Sequence, residues 1–234
     1  MSASRPRILA RGPWAAEQVT ARWLHETYEP PDEVARRADA AVAGLRERGS
    51  PAHDGTATRL AGWHAEPERL LLDLQPSRWA LRLVEGNACD SLTALCVVRR
   101  ADGRWLAGRR ADWVSTWAGR WALGAGGAVD LGESPTATLT RELHEEWSLE
   151  PERLSVEALV ALPNGMTMVV GLATVSDGAA PVPDAEHDEW AWWPADPEEW
   201  PAEAGELRRM GRQLQGQASA TPTGQDTPVP PSPQ

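Results

Sequence analysis

Three glutamates that share one side of a short helix set the terms for this chain. From Gly126 to Leu149 the sequence reads GGAVDLGESPTATLTRELHEEWSL. Gly126 and Gly127 suit a tight turn, where a missing Cβ lets backbone come close to a ligand. Ser134 and Pro135 mark a helix start: Ser caps free N–H groups, and Pro at the first helical position has no N–H to leave unpaired. Glu142 and Glu145 are three residues apart, and Glu142 and Glu146 four, so the three carboxylates crowd together. Leu139 and Leu143 repeat at four and can face a core. Like charges at these spacings repel by roughly 0.2–0.5 kcal/mol per pair. A divalent cation reverses that sign, because hard cations such as Mg²⁺ take oxygen ligands and share them with substrate phosphates.

The stretch resembles the Nudix box on Gly127, Glu133, Arg141, Glu142, Leu143, Glu145, Glu146 and Leu149, and departs from it at Ser148, where the family has Gly. The resemblance implies an α/β fold, an α/β/α sandwich with a mixed sheet. It also implies hydrolysis of a diphosphate that joins a nucleoside to another group. By that resemblance Glu142, Glu145 and Glu146 hold Mg²⁺, with Mn²⁺ as a substitute, and Gly126 adds a main-chain carbonyl. Arg141 fixes a neighbouring carboxylate, and Glu133 joins the same network. Members use either a box Glu or an acid in a later loop as general base. Glu142 and Glu145 are the box candidates, and Glu186 and Glu189, in Asp184–Glu189 before the last core strand, are the loop candidates. His187 reads as a surface residue. Ser at a helix end that prefers Gly costs on the order of 1 kcal/mol without removing a chemical group.

At 234 residues the chain has room for one main domain and an accessory segment. The formal charge of −11 argues against nonspecific nucleic-acid binding, which needs clustered basic residues. Cys89 and Cys96 are too few for a disulfide framework and sit in apolar sequence, so buried free thiols are expected. No apolar run suits a membrane span, and the expected location is the cytoplasm, with no membrane partner. A homodimer is compatible with this reading. The aromatic set is 13 Trp, one Tyr and no Phe. Some of those rings can stack on a base.

The chain divides into an extension at 1–87, a core domain at 88–215 and a disordered tail at 216–234 rich in Pro, Ser and Thr. The extension reads as mainly helical: a loose arm over 1–12, helices over 14–27 and 32–48, a loop over 50–58, short strands Arg59–Trp63 and Arg69–Gln75, and a short helix from Pro76. In the core, LTALCVVRR from Leu92 and WLAGRR from Trp105 are strands around an Asp102-Gly103 turn. Two further strands, Ser155–Leu162 and Met166–Val175, flank Asn164-Gly165, a strong hairpin signal. His187–Trp193 completes the sheet, and a final helix spans Pro201–Gln215.

Arg109, Arg110 and Arg120 flank the box in sequence, and Arg forks suit phosphate. Arg109 and Arg120 are the substrate candidates, with Trp117, Trp121 and Trp79 as stacking partners. The segment HDGTATRLAGW and the stretch to Asn87 resemble, more weakly, the Nudix branch that hydrolyses UDP-glucose and UDP-galactose. The expected small-molecule partner is therefore a nucleoside diphosphate-linked compound, a UDP-sugar split to UMP and sugar 1-phosphate. Alternatives are ADP-ribose hydrolysis and a sensor of the same fold that binds without turnover.

Overall fold

The computed structural model describes residues 5–48, 54–114 and 117–218. An eight-stranded mixed sheet forms the centre. Its main path runs β1 (Arg7–Ala15), β9 (Arg153–Ala161), β10 (Thr167–Val175), β5 (Leu92–Arg100), β6 (Trp105–Arg110) and β11 (His187–Trp193). Short strands β7 (Trp121–Leu123) and β8 (Ala125–Ala128) pair with β6 and β5. The β10–β5 pair is parallel, and the other pairs of this sheet are antiparallel. A second sheet has the order β2 (Val19–Trp23), β4 (Arg69–Arg78), β3 (Thr56–Glu66).

Alternation along each strand divides the large sheet into two faces. On β5, Leu92, Ala94, Cys96 and Val98 enter one core, while Val97 enters the other. On β6, Leu106 joins the first and Trp105 and Ala107 the second. Leu139, Leu143 and Trp147 of α2 (Pro135–Trp147) cover the first face, together with Leu70, Leu72 and Leu74 of the small sheet. Leu207 and Leu214 of α3 (Leu207–Ala218) cover the second, with Trp193 and Trp200. Helices thus lie on both faces. Among the described residues no helix is long and apolar enough to cross a membrane.

The expected core strands and both hairpin turns are present. The amino-terminal segment differs. Residues 7–12 of the expected arm belong to β1, paired with β9 at the edge of the large sheet, and residues 1–4 lie outside the described residues. The helix expected over 14–27 is instead the end of β1, one 3₁₀ turn at Ala16–Gln18, and β2. Sheet pairing outweighs the helix preference of AAEQ: Trp14 is buried from β1, paired with Val156, and Val19-Thr20 favours extended backbone. The helix at 32–48 is α1 (Asp32–Glu47), with Ala38 and Val42 packed on Ala80 and Leu81. The latter two belong to a 3₁₀ segment, Trp79–Leu83, where a short helix was expected. The two extension strands are longer than expected. Before α3, Ala202–Ala204 forms a separate 3₁₀ turn. Residues 50–53 of the expected loop lie outside the described residues, and 56–58 belong to β3; residues 216–218, expected in the tail, extend α3, and the tail beyond 218 lies outside the described residues.

α2 starts as its sequence requires, with Ser134 Oγ accepting the Ala137 N–H at 3.1 Å. It ends at Ser148, whose φ of 52° and ψ of 36° are left-handed, with its N–H donating to His144 O at 2.8 Å. Gly adopts that conformation without the Cβ clash that Ser bears. Ser148→Gly is therefore expected to raise stability by about 1 kcal/mol. Equal urea midpoints for variant and wild type would contradict the strain at this helix end.

Candidate functional site

Arg141 is the hub of the box. Its Nε and Nη2 reach the two oxygens of Glu133 at 3.0 and 3.1 Å. Its Nη1 donates to Glu142 Oε1 at 2.7 Å and Glu145 Oε2 at 3.0 Å, and Nη2 also donates to Ala128 O at 3.2 Å. Glu133 is further held by Thr138 Oγ1 at 2.6 Å and by the Asp130 N–H at 3.3 Å. One guanidinium thus ties the loop that enters α2 to the acidic side of the helix. The arrangement pushes the Arg141 pKa up, chiefly through Glu133. Trp23 of β2 donates from Nε1 to Glu133 O at 3.2 Å, so the small sheet braces the same loop.

Gly127 lies against Glu142: a Cβ there would fall 2.2 Å from Glu142 Oε1. The adjacent Gly126 donates its N–H to Glu146 Oε1 at 3.0 Å. Both carboxylates are removed from water, with side-chain exposures of 12% for Glu142 and 7% for Glu146, against 56% for Glu145. Burial raises the Glu142 pKa. It pushes Glu146 up to about 8, opposed by the Gly126 N–H and by Arg110, and reinforced by Glu142 and Asp184. Cys96 lies deep in the same core, its thiol pushed up to about 12 by burial, with Glu146 adding to the effect. Both cysteines are buried free thiols.

The donor set fits a hard cation. It is all oxygen, it sits beside a glycine whose missing side chain leaves the approach open, and its two inner carboxylates lack a cationic partner strong enough to offset their burial. As placed, the carboxylates are drawn apart, Glu145 and Glu142 toward Arg141 and Glu146 toward Gly126. Among the described residues no group of three or more acidic, His or Cys side chains converges on one point. Glu145 is the most exposed of the three, held only by Arg141.

The two loop acids separate. Glu186 pairs with Arg110 at 2.8 Å, on the face that carries α2. Glu189 is exposed on β11, opposite Arg109 in the strand register. Neighbouring residues of β6 point to opposite faces, so Arg110 acts on Glu146 while Arg109 turns toward α3. Arg109 donates to Asp188 at 2.6 Å. With Trp117, Arg120 and Trp121 it lines one cleft of about 560 Å³, closed on the far side by Glu203–Leu207. Trp117 is 55% exposed, and the Arg120 guanidinium lies 5.9 Å from its ring centre. Trp121 packs on Trp193 at 5.3 Å, so its ring also belongs to the α3 core. Trp79 is not brought to this cleft: it opens the 3₁₀ segment packed on α1, with its N–H bonded to Gly55 O.

His187 is not a surface residue. Its side chain is 1% exposed, with Nδ1 3.1 Å from Asp184 Oδ1 and Nε2 3.7 Å from Glu146 Oε2. Burial lowers its pKa. Placement in an acidic loop concealed it. Simple alternation would put His187 and Trp192 on opposite faces, and the register shift between His187 and Glu189 brings both to the face that packs on the first core, so no sequence signal marked it.

The chain belongs to the NUDIX domain family, whose model matches residues 91–210. Similar solved structures include a MutT protein from Methanosarcina mazei Go1, with 22% identity over 55% of this chain and 95% of that one (TM-score 0.43). The NUDIX domain of Shewanella oneidensis NrtR, complexed with ADP ribose, has 21% identity over 56% and 89% (TM-score 0.43). RenU, a Nudix hydrolase from M. smegmatis, has 26% identity over 58% and 89% (TM-score 0.42). A search of curated proteins finds no significant match.

Glu146 makes the metal-free protein sensitive to pH. Its folded pKa of about 8 lies above the ordinary 4.5, so the folded state holds a proton that the unfolded state releases. That contribution is complete below about pH 4.5 and is lost as pH rises through about 8. In EDTA, Glu146→Gln should therefore gain stability over wild type between pH 5 and pH 9, by on the order of a few kcal/mol. Urea unfolding at both pH values measures it, and a difference independent of pH would refute the desolvated carboxylate.

Proposed function

We propose that this protein hydrolyses a diphosphate linking a nucleoside to another group, with a divalent cation held by Glu142, Glu145 and Glu146 and a main-chain carbonyl of Gly126. Mg²⁺ is the proposed ion, and Mn²⁺ a working substitute. The observation that carries this reading is the Arg141-centred network, which gathers self-repelling carboxylates and leaves Glu142 and Glu146 desolvated. A binding domain without turnover has no need of such a cluster. When bound, the cation supplies charge screening on the diphosphate, so that a water oxygen can approach phosphorus.

The chain's own residues supply the remainder. Arg141 holds Glu142 and Glu145 in place. We assign the proton-accepting role to Glu186, which Arg110 holds on the α2 face, in preference to the exposed Glu189. The cleft of Arg109, Trp117, Arg120 and Trp121 offers stacking faces and guanidinium groups for the organic part of the substrate. It opens beside the end of β6, where Arg109 and Arg110 are consecutive. The upstream resemblance makes UDP-sugars the first substrates to test, yielding UMP and sugar 1-phosphate, although Trp79 plays no part in this cleft.

The test measures kcat and KM for UDP-glucose, ADP-ribose and a nucleoside triphosphate side by side with Mg²⁺. The expected order places UDP-glucose first; a preference for ADP-ribose would replace the substrate and keep the hydrolase. Glu186→Gln should lower kcat by about 10²-fold or more, whereas Glu189→Gln should stay near wild type. The reverse pattern would move the base to Glu189. Tight binding of a diphosphate with no turnover would favour the sensor.

A further inference from the structure

The segment before β11 is fastened to the end of the box helix by main chain. The Val182 N–H donates to Trp147 O and the Asp184 N–H to Glu146 O, both at 2.9 Å. These bonds occupy carbonyls that the last turn of α2 would otherwise leave unpaired. They also bring His187 up to the Glu146 side chain. There the imidazole has little freedom. Its ring centre is 4.4 Å from that of Trp147, and a Cβ on Gly108 would meet both rings at 2.6 Å. Asp184 Oδ1 takes the Glu186 N–H at 3.0 Å and faces His187 Nδ1 at 3.1 Å. A carboxylate there accepts, so the ring proton sits on Nδ1 and the Nε2 edge faces Glu146.

Glu146 is consequently bounded on both oxygens. Oε1 is fixed by the Gly126 N–H, and Oε2 looks across 3.7 Å at His187 Nε2, too far for a direct hydrogen bond, so the enclosed imidazole ring closes that side of the carboxylate. We propose that Asp184 and His187 are a positioning pair for Glu146, holding its carboxylate in the orientation that takes up a divalent cation. The inference rests on the metal-dependent reading above. Its physical basis is preorganisation: a glutamate held in place by a rigid ring loses less freedom when it binds an ion, and partners of this kind usually govern affinity by 10–100-fold.

The test is Mn²⁺ uptake by the full chain, read from the loss of the free-ion paramagnetic resonance signal, alongside melting temperature, kcat and KM. His187→Asn keeps a donor for Asp184 and removes the edge that faces Glu146. It should weaken Mn²⁺ binding by about tenfold and lower kcat, with KM within twofold and the melting temperature within a few degrees. His187→Gln, whose amide reaches the Nε2 position, should recover part of the affinity. Wild-type Mn²⁺ affinity in His187→Asn would overturn the proposal. If His187→Asn does not fold, Asp184→Ala decides: wild-type Mn²⁺ affinity there also overturns it. Wild-type protein that takes up no Mn²⁺ would sink the metal reading itself, and this inference with it.

Discussion

A single guanidinium restrains four carboxylates at the centre of this protein. Arg141 reaches Glu133, Glu142 and Glu145 directly and lies 3.8 Å from Asp130. Without it, the acidic side of α2 would repel itself and the entering loop would lose its main tether. With it, the loop is pinned to the helix, Gly127 can lie on Glu142, and Gly126 can present its N–H to Glu146. The arrangement leaves Glu146 without a direct cationic partner. Arg141 does not reach Glu146, and burial of that carboxylate is offset only by a backbone N–H and the field of Arg110. Free energy left unsatisfied in the apo state is available to a cation.

Supports for this centre arrive from three distant segments of the chain. β2 sends Trp23 to the box loop, β6 sends Arg110 toward Glu146, and the segment before β11 bonds to the last turn of α2. The amino-terminal region is thus structural support for the box as well as a sheet edge. The opposite face is different in kind. There Trp121, Trp193 and Trp200 pack with α3, and an open cleft runs past Arg109 and Arg120. Metal chemistry and recognition of the organic group would then fall on different sides of β6, meeting where its strand ends.

The box was legible in the sequence because its chemistry is local. Helical spacing alone puts Glu142, Glu145 and Glu146 within the last turns of one helix, and Ser134-Pro135 sets its start. The core strands were legible for a similar reason, each an apolar run closed by a turn such as Asn164-Gly165. What the sequence did not disclose depends on distant partners. Trp14, Val19 and Trp23 suited a helix until β9 and β4 offered edges to pair with. Arg109 and Arg110 are equivalent in sequence, and strand parity separates them. His187 looked solvated among acids, yet a ring from α2 and a glycine on β6 enclose it.

The central claim is that the α2 carboxylates bind a divalent cation in the folded state. Thermal unfolding in rising Mg²⁺ tests it most directly, because an ion that binds only the folded protein adds about 2.7 kcal/mol at one hundred times its dissociation constant. The account predicts a melting temperature that climbs with Mg²⁺ in the wild-type protein and stays nearly flat when Glu142 and Glu146 are both changed to Gln. A wild-type melting temperature indifferent to Mg²⁺, or an equal rise in the double variant, would contradict it.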